Sequence, residues 1–174
     1  MRQPRKQSGV VLVITLIILL ILTLLGTSSI QMTGLLERMA RNTTDTNAAL
    51  GAAEAGLLAA ESLVEAETGL TAYEANTAGK YKILGTGVTP RWQNPATWNA
   101  SDSLAATHTG SAIAPRYIIE FVTTVVSAED SLNLDNVGGD SGTDQTQVFR
   151  ITALGVGKSE SAKVYLQTTY GKKF

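Results

Sequence analysis

An α+β fold is what this sequence predicts: one long amino-terminal helix packed on a small antiparallel sheet built by the carboxy-terminal third. Three observations predict it. An aliphatic run near the amino terminus passes, with no proline before Pro90, into residues at helical spacing. A middle region bearing prolines and both tryptophans has little periodicity. Three late stretches alternate with the period of two that strands require.

The helix begins in an apolar segment. Val10 to Leu25 holds 14 Val, Ile or Leu side chains among 16 residues. The exceptions, Thr15 and Thr23, can return their hydroxyls to the helix backbone. No charged residue occurs between Lys6 and Glu37. On an insertion scale the run favours a bilayer over water by about 4–8 kcal/mol. Extended to Leu36 it makes a helix of about 40 Å, enough to cross with tilt.

From Leu35 the apolar or small positions are Leu35, Met39, Asn42, Thr46, Ala49, Ala53, Leu57, Ala60 and Val64, in steps of three and four. Glu37 and Arg41 form an i,i+4 pair with the acid first, worth a few tenths of a kcal/mol. The spacing predicts one helix from about Gly9 to about Glu67, bent or frayed near Gly26 and Gly34. Its second half is rich in small residues, from Ala48 to Ala60, which let another backbone approach closely. Packing on the chain's own sheet is the plain expectation; contact with neighbouring helices is the other use of such a strip.

Residues 68–115 carry Pro90, Pro95, Pro115, Trp92 and Trp98. They predict a long connection with one short helical turn or edge strand around Tyr81–Leu84. The tryptophans are expected to cover the open face of the sheet or the helix end, with partner binding and sugar stacking as rival uses. Three strands follow. Arg116 to Val126 is predicted to put Tyr117, Ile119, Phe121, Thr123 and Val125 on one face. Gln147 to Val156 sets Phe149, Ile151 and Ala153 against Val148, Arg150, Thr152 and Leu154. Lys163 to Tyr170 alternates in the same way, and the polar connector from Gly157 to Ala162 suits a hairpin.

Length, charge and composition limit the function. After the leader and apolar segment, 174 residues leave room for one small domain. Net charge is −1, but Arg2, Arg5 and Lys6 stand together ahead of the apolar run. Without residues 1–9, 14 − 3 = 11 basic side chains face 15 acidic ones, which offers nucleic acid no basic footprint. The basic leader is instead a topology signal: it stays cytoplasmic and places the body in the periplasm of a bacterium. With no cysteine, disulfides, thiol catalysis and thiolate metal sites are excluded. His108 is the only histidine, so a His-centred triad or a multi-histidine metal site is difficult or impossible. No G-x-S-x-G, P-loop or complete G-x-G-x-x-G motif occurs. A non-enzyme without cofactor is therefore expected. Asp135, Asn136, Asp140 and Asp144 offer oxygen ligands, but not at the calcium-loop spacing. A solvated loop is the first reading there and a calcium site the second.

Three readings of the amino terminus compete. A secretory signal would be cut after Leu25, where Gly26-Thr27-Ser28-Ser29 matches the small-residue rule poorly. A plain membrane anchor would keep the leader. The third is a leader cut ahead of the apolar run, between Gly9 and Val10, which this segment resembles in the type IV prepilins. The stretches Gly9-Val10-Val11-Leu12-Val13, Leu24-Leu25-Gly26, Gln31-Met32-Thr33, Glu37-Arg38-Met39-Ala40-Arg41-Asn42 and Ala52-Ala53-Glu54-Ala55-Gly56-Leu57 resemble, in that order, the PilX-type minor pilins. So do Phe149-Arg150-Ile151-Thr152-Ala153-Leu154-Gly155 and Thr168-Thr169-Tyr170 near the other end.

The resemblance implies a type IV pilin-like fold. Its parts would be a prepilin leader over 1–9, a membrane and filament-core segment over 10–36, a helix half packing on the sheet over 37–67, and a periplasmic domain over 68–174. It also implies cleavage by a prepilin peptidase and methylation of the Val10 amine. Leu16, Leu20 and Leu24 would make helix contacts in the filament. Implied partners are the inner membrane, the major pilin, other minor pilins and a tip adhesin. One departure is informative. Most pilins carry a glutamate where this chain has Ile14. That carboxylate is costly in lipid unless it finds the preceding subunit's amine. Its absence implies a subunit at or near the filament tip, priming assembly. The alternatives are a minor pseudopilin of type II secretion and a membrane-anchored periplasmic binding module.

Overall fold

The computed structural model describes residues 9–126 and 145–173. The loop with Asp135, Asn136, Asp140 and Asp144 lies outside the described residues. One helix, α1, spans Val10–Ala66 and passes through Gly26 and Gly34 without interruption. It runs through two compact units, residues 1–43 and 44–174.

In the first unit every described side chain is exposed. With no core to face, the polar groups are satisfied within the helix itself. Thr15 and Thr23 donate their hydroxyls to the carbonyls of Leu12 and Leu20, at 2.9 and 2.8 Å, as the sequence predicts. Thr27 and Thr33 do the same. Arg41 reaches Glu37 at 2.5 Å.

The second unit is built on the remainder of α1. Ala49, Ala52, Ala53, Gly56, Ala60 and Val64 are buried. Their steps of three and four put them on one face. Small side chains there let the helix backbone lie directly on a strand. A Cβ added to Gly155 would stand 2.0 Å from the carbonyl oxygen of Ala49 and 2.4 Å from the nitrogen of Ala53. The alanine- and glycine-rich strip therefore packs on the chain's own sheet.

Beyond α1 come a single turn α2 (Thr71–Glu74), strand β1 (Lys80–Lys82), two 3-10 turns (Arg91–Gln93 and Pro95–Trp98), and strand β2 (Leu104–Ala105). Three long strands follow: β3 (Arg116–Val126), β4 (Gln145–Val156) and β5 (Lys163–Lys173). The sheet runs β1-β3-β4-β5, with β2 also beside β3.

Two expectations are corrected. The sheet is mixed rather than antiparallel, because β1 pairs with β3 in parallel, Tyr81 against Glu120. A parallel neighbour needs a crossover of about a dozen residues or more. The chain from Lys82 to Arg116 provides it, so the middle region acts as a crossover and not a bare loop. The second correction concerns β3. Phe121 pairs with Phe149, yet Thr123 already pairs with Val148, so Val122 is an extra residue in a bulge. A one-residue shift exchanges faces. Thr123 and Val125 therefore lie on the face opposite Tyr117, Ile119 and Phe121.

The helix side of the sheet holds the core: Ala60, Val64, Tyr73, Ala106, Tyr117, Ile119, Phe149, Ile151 and Ala153. The Tyr73 and Phe149 rings stand 5.0 Å apart. Burial pushes the Tyr73 hydroxyl far above its ordinary pKa, with the Glu67 and Tyr117 charges adding to it. β5 closes the helix end. The Lys172 ammonium donates to the carbonyls of Val64 at 3.1 Å and Glu67 at 2.7 Å, and also to that of Glu65. α1 has no basic residue in its own last turn, so a distant strand supplies the charge that its terminal carbonyls attract.

Candidate processing and assembly segment

Every residue picked out by sequence for processing or assembly lies on the first four turns of α1 or next to them. Gly9 precedes the helix, and its carbonyl accepts from the Val13 N–H at 3.4 Å. Space around its α-carbon is open, since an added Cβ meets nothing within 4 Å. Val10 is the first helical residue and Ile14 stands one turn on, exposed by half. Leu16, Leu20 and Leu24 recur every four residues and form one exposed row.

Chemically this segment offers hydrocarbon and little else. Its threonine hydroxyls are turned to its own carbonyls. The helix is long and apolar enough to cross a membrane. A helix that is apolar all round is stable in lipid or among other helices, not in water. Among the described residues no group of three or more His, Asp or Glu side chains is placed to hold a metal ion.

The domain carries two polar constructions that sequence reasoning missed. The first joins α1 to the β4–β5 turn. Asp45 accepts from the Ser159 N–H at 2.9 Å and from the Ser159 hydroxyl at 2.5 Å. These bonds, the hydroxyl first, hold the Asp45 carboxyl below its usual pKa. The second lies on the outer sheet face. Glu120 is fully buried, and Arg150 places Nε at 3.0 Å and Nη2 at 2.7 Å from its Oε2. Arg91 approaches the other oxygen at 3.8 Å while its guanidinium lies over the Tyr81 ring at 4.3 Å. Arg91 thereby brings the two 3-10 turns across that face. Trp92 and Trp98 pack against Tyr165, with ring centres 5.9 and 5.5 Å apart. The Trp98 indole N–H donates to the Trp92 carbonyl at 3.0 Å. The tryptophans thus cover the open face of the sheet. A sequence signal for the buried pair existed in Glu120 and Arg150, each in the middle of a strand, but facing partners are invisible without the register.

A membrane-length helix whose second part underlies a small sheet defines a type IV pilin-like protein. Two family models match the chain: "Type IV pilus assembly protein PilX C-term" over residues 38–172, and "PilX N-terminal" over residues 8–58. The chain belongs to the PilX family of type IV pilus assembly proteins. No curated protein and no solved structure matches it.

Proposed function

We propose that this chain is a non-catalytic minor pilin that primes type IV pilus assembly from a place at or near the filament tip. Membership of the PilX family supports the pilus, and Ile14 carries the tip. A subunit with another beyond it gains from a carboxylate that can meet that neighbour's amine. A subunit with none beyond it would keep an unpaired carboxylate in lipid, at a cost of about 2.5–3.5 kcal/mol on insertion scales. Ile14 avoids that cost.

In this reading residues 1–9 are a leader that stays cytoplasmic and is removed between Gly9 and Val10 by a prepilin peptidase, after which the Val10 amine is methylated. Residues 10–36 hold the protein in the inner membrane and later join the filament core through the row of Leu16, Leu20 and Leu24. Residues 37–67 join that segment to the periplasmic domain of residues 68–174. The partners are the major pilin, other minor pilins and a tip adhesin.

Mass spectrometry of the mature amino terminus tests the processing step. A chain beginning with N-methylated Val10 is expected, and Gly9→Val should leave the leader attached. An intact leader in the unaltered protein, or cleavage after Leu25, would overturn the reading. Gold labelling of an epitope tag on isolated pili tests the place: label at filament ends is expected, and label along the shaft excludes it. Loss of secretion with pili intact would assign the chain to a secretion system instead.

A further inference from the structure

We propose that the hollow at one end of the outer sheet face, between Arg116 and Lys163, binds a small monocarboxylate with an aromatic or branched aliphatic body. The inference goes beyond the pilus reading and stands on the sheet and its cover alone. Strand register builds the hollow. Leu154 on β4 has Arg116 beside it on β3, and Val156 on β4 has Lys163 beside it on β5. Alternation puts all four on the face that carries Glu120 and Arg150. Leu154 and Val156 make an apolar floor with a basic residue on each side. Trp98 and Ile113 wall it, and the space is about 220 Å³. That is room for one ring or branched chain with a head group, below the size of a pocket for a drug-sized ligand.

Charge decides the head group. Arg116 is held in place but not neutralised. Its Nε donates to Ser103 Oγ at 2.6 Å, and its Nη2 to the carbonyls of Ser103 at 2.6 Å and Asn99 at 3.0 Å. All three acceptors are uncharged, and Nη1 has no acceptor among the described residues. The guanidinium is thus fixed with its charge and one nitrogen unused, which lowers the ordering cost of binding an anion. The exposed Lys163 ammonium has neither a hydrogen bond nor an ion pair among the described residues. Glu160, on the β4–β5 turn, is the one acid lining the hollow, and it pairs with neither cation. Two cations against one acid favour a ligand with a single negative charge. A dicarboxylate or a phosphate dianion would bring more charge than the hollow can balance.

The walls decide the body. Ile113 is 47% exposed although it lines a hollow. The Trp98 indole N–H is already given to the Trp92 carbonyl, so this wall presents only its apolar ring. A ring or branched chain lodged between Ile113 and Trp98 removes apolar surface from water on both sides. A cationic head on the same body would meet two like charges. An uncharged polar head would leave the Arg116 and Lys163 charges with water alone.

The test uses the full chain in detergent micelles, labelled with fluorotryptophan. It reads the fluorine resonances of Trp92 and Trp98, assigned with Trp92→Phe. The probes are phenylbutyrate, phenylbutanol and phenylbutylamine, which share one body and differ in head group. Phenylbutyrate is expected to shift the Trp98 resonance with a Kd of about 1 mM, a magnitude open to about a dozen non-hydrogen atoms. The alcohol should bind about tenfold more weakly, and the amine should give no saturable shift. Lys163→Gln, at an exposed side chain, should weaken phenylbutyrate about fivefold and leave the alcohol unchanged. Ile113→Ser should weaken both by the same factor. Equal affinity for the three probes, as partition into the micelle would give, overturns the proposal. So does a phenylbutyrate affinity unchanged by Lys163→Gln, a shift confined to Trp92, or no shift at all.

Discussion

Asp45 holds Ser159 by both of that residue's donors, its backbone N–H at 2.9 Å and its hydroxyl at 2.5 Å. A single carboxylate on α1 thus fastens the β4–β5 turn. Because these bonds favour the ionised form, the folded carboxyl titrates below its unfolded value of about 3.9. The stabilisation is complete above that unfolded value and is lost as pH falls through the lower, folded one. Asp45→Asn should therefore lower the thermal midpoint near neutral pH and converge with the unaltered protein as pH falls through the lower, folded value. An undiminished difference in acid would show that the charge is not what holds the turn.

Among the described glycines, Gly155 leaves the least room for a side chain. Gly155→Ala would set a methyl 2.0 Å from the Ala49 oxygen, so helix and strand must part. A loss of about 3 kcal/mol, read from the urea midpoint, is expected.

Gly51 provides the contrast on the same helix. An added Cβ there meets only His108 Cε1, at 3.9 Å. Gly51→Ala should stabilise the protein by about 0.5–1 kcal/mol through reduced backbone entropy in the unfolded chain. A destabilisation similar to that of Gly155→Ala would mean the helix approaches the sheet more closely than the structure shows.

The buried Glu120 depends on Arg150. Arg150→Ala leaves a carboxylate in a fully buried place and should cost about 3–5 kcal/mol. Replacing both, as Glu120→Leu with Arg150→Met, should recover most of that. A double variant as unstable as the single one would mean that the pair's shape, not its charge, matters here.

Lys172→Ala removes a charged donor from three carbonyls at the end of α1. A loss of about 1–2 kcal/mol is expected, with faster amide exchange confined to the last turn of the helix.

The long helix and the three long strands were legible from period, and the hairpin between the last two from its polar connector. The tryptophans were expected over the open face of the sheet or the helix end, and the structure takes the first. What escaped was set by register and distance. A short turn or edge strand around Tyr81–Leu84 was expected, but the parallel pairing of β1 was not legible, since its partner lies beyond the whole crossover. The bulge at Val122 breaks no sequence pattern, since Val122 and Thr123 are equally at home on either face. Alternation in β3 placed Glu120 on the outer face, where a solvated carboxylate is ordinary. Only the fold shows that Arg91 and its 3-10 turns close over it. For the candidate processing segment, the fold shows only that Gly9 stands just before α1 and that Val10 and Ile14 lie in its first turns.

The contacts fastening α1 to the rest of its domain carry a consequence in time. Ser159 meets Asp45 across 114 residues, Tyr170 meets Glu65 across 105, and Lys172 meets Val64 across 108. Each must wait until β5 or its turn has been synthesised. Until then the alanine- and glycine-rich face of the helix has no sheet to cover it. Contacts so distant in sequence make for slow folding, with apolar surface uncovered meanwhile. The growing chain therefore passes through an interval in which the residues of that helix face exist and their partner strand does not, and that interval is when it most needs protection from its neighbours.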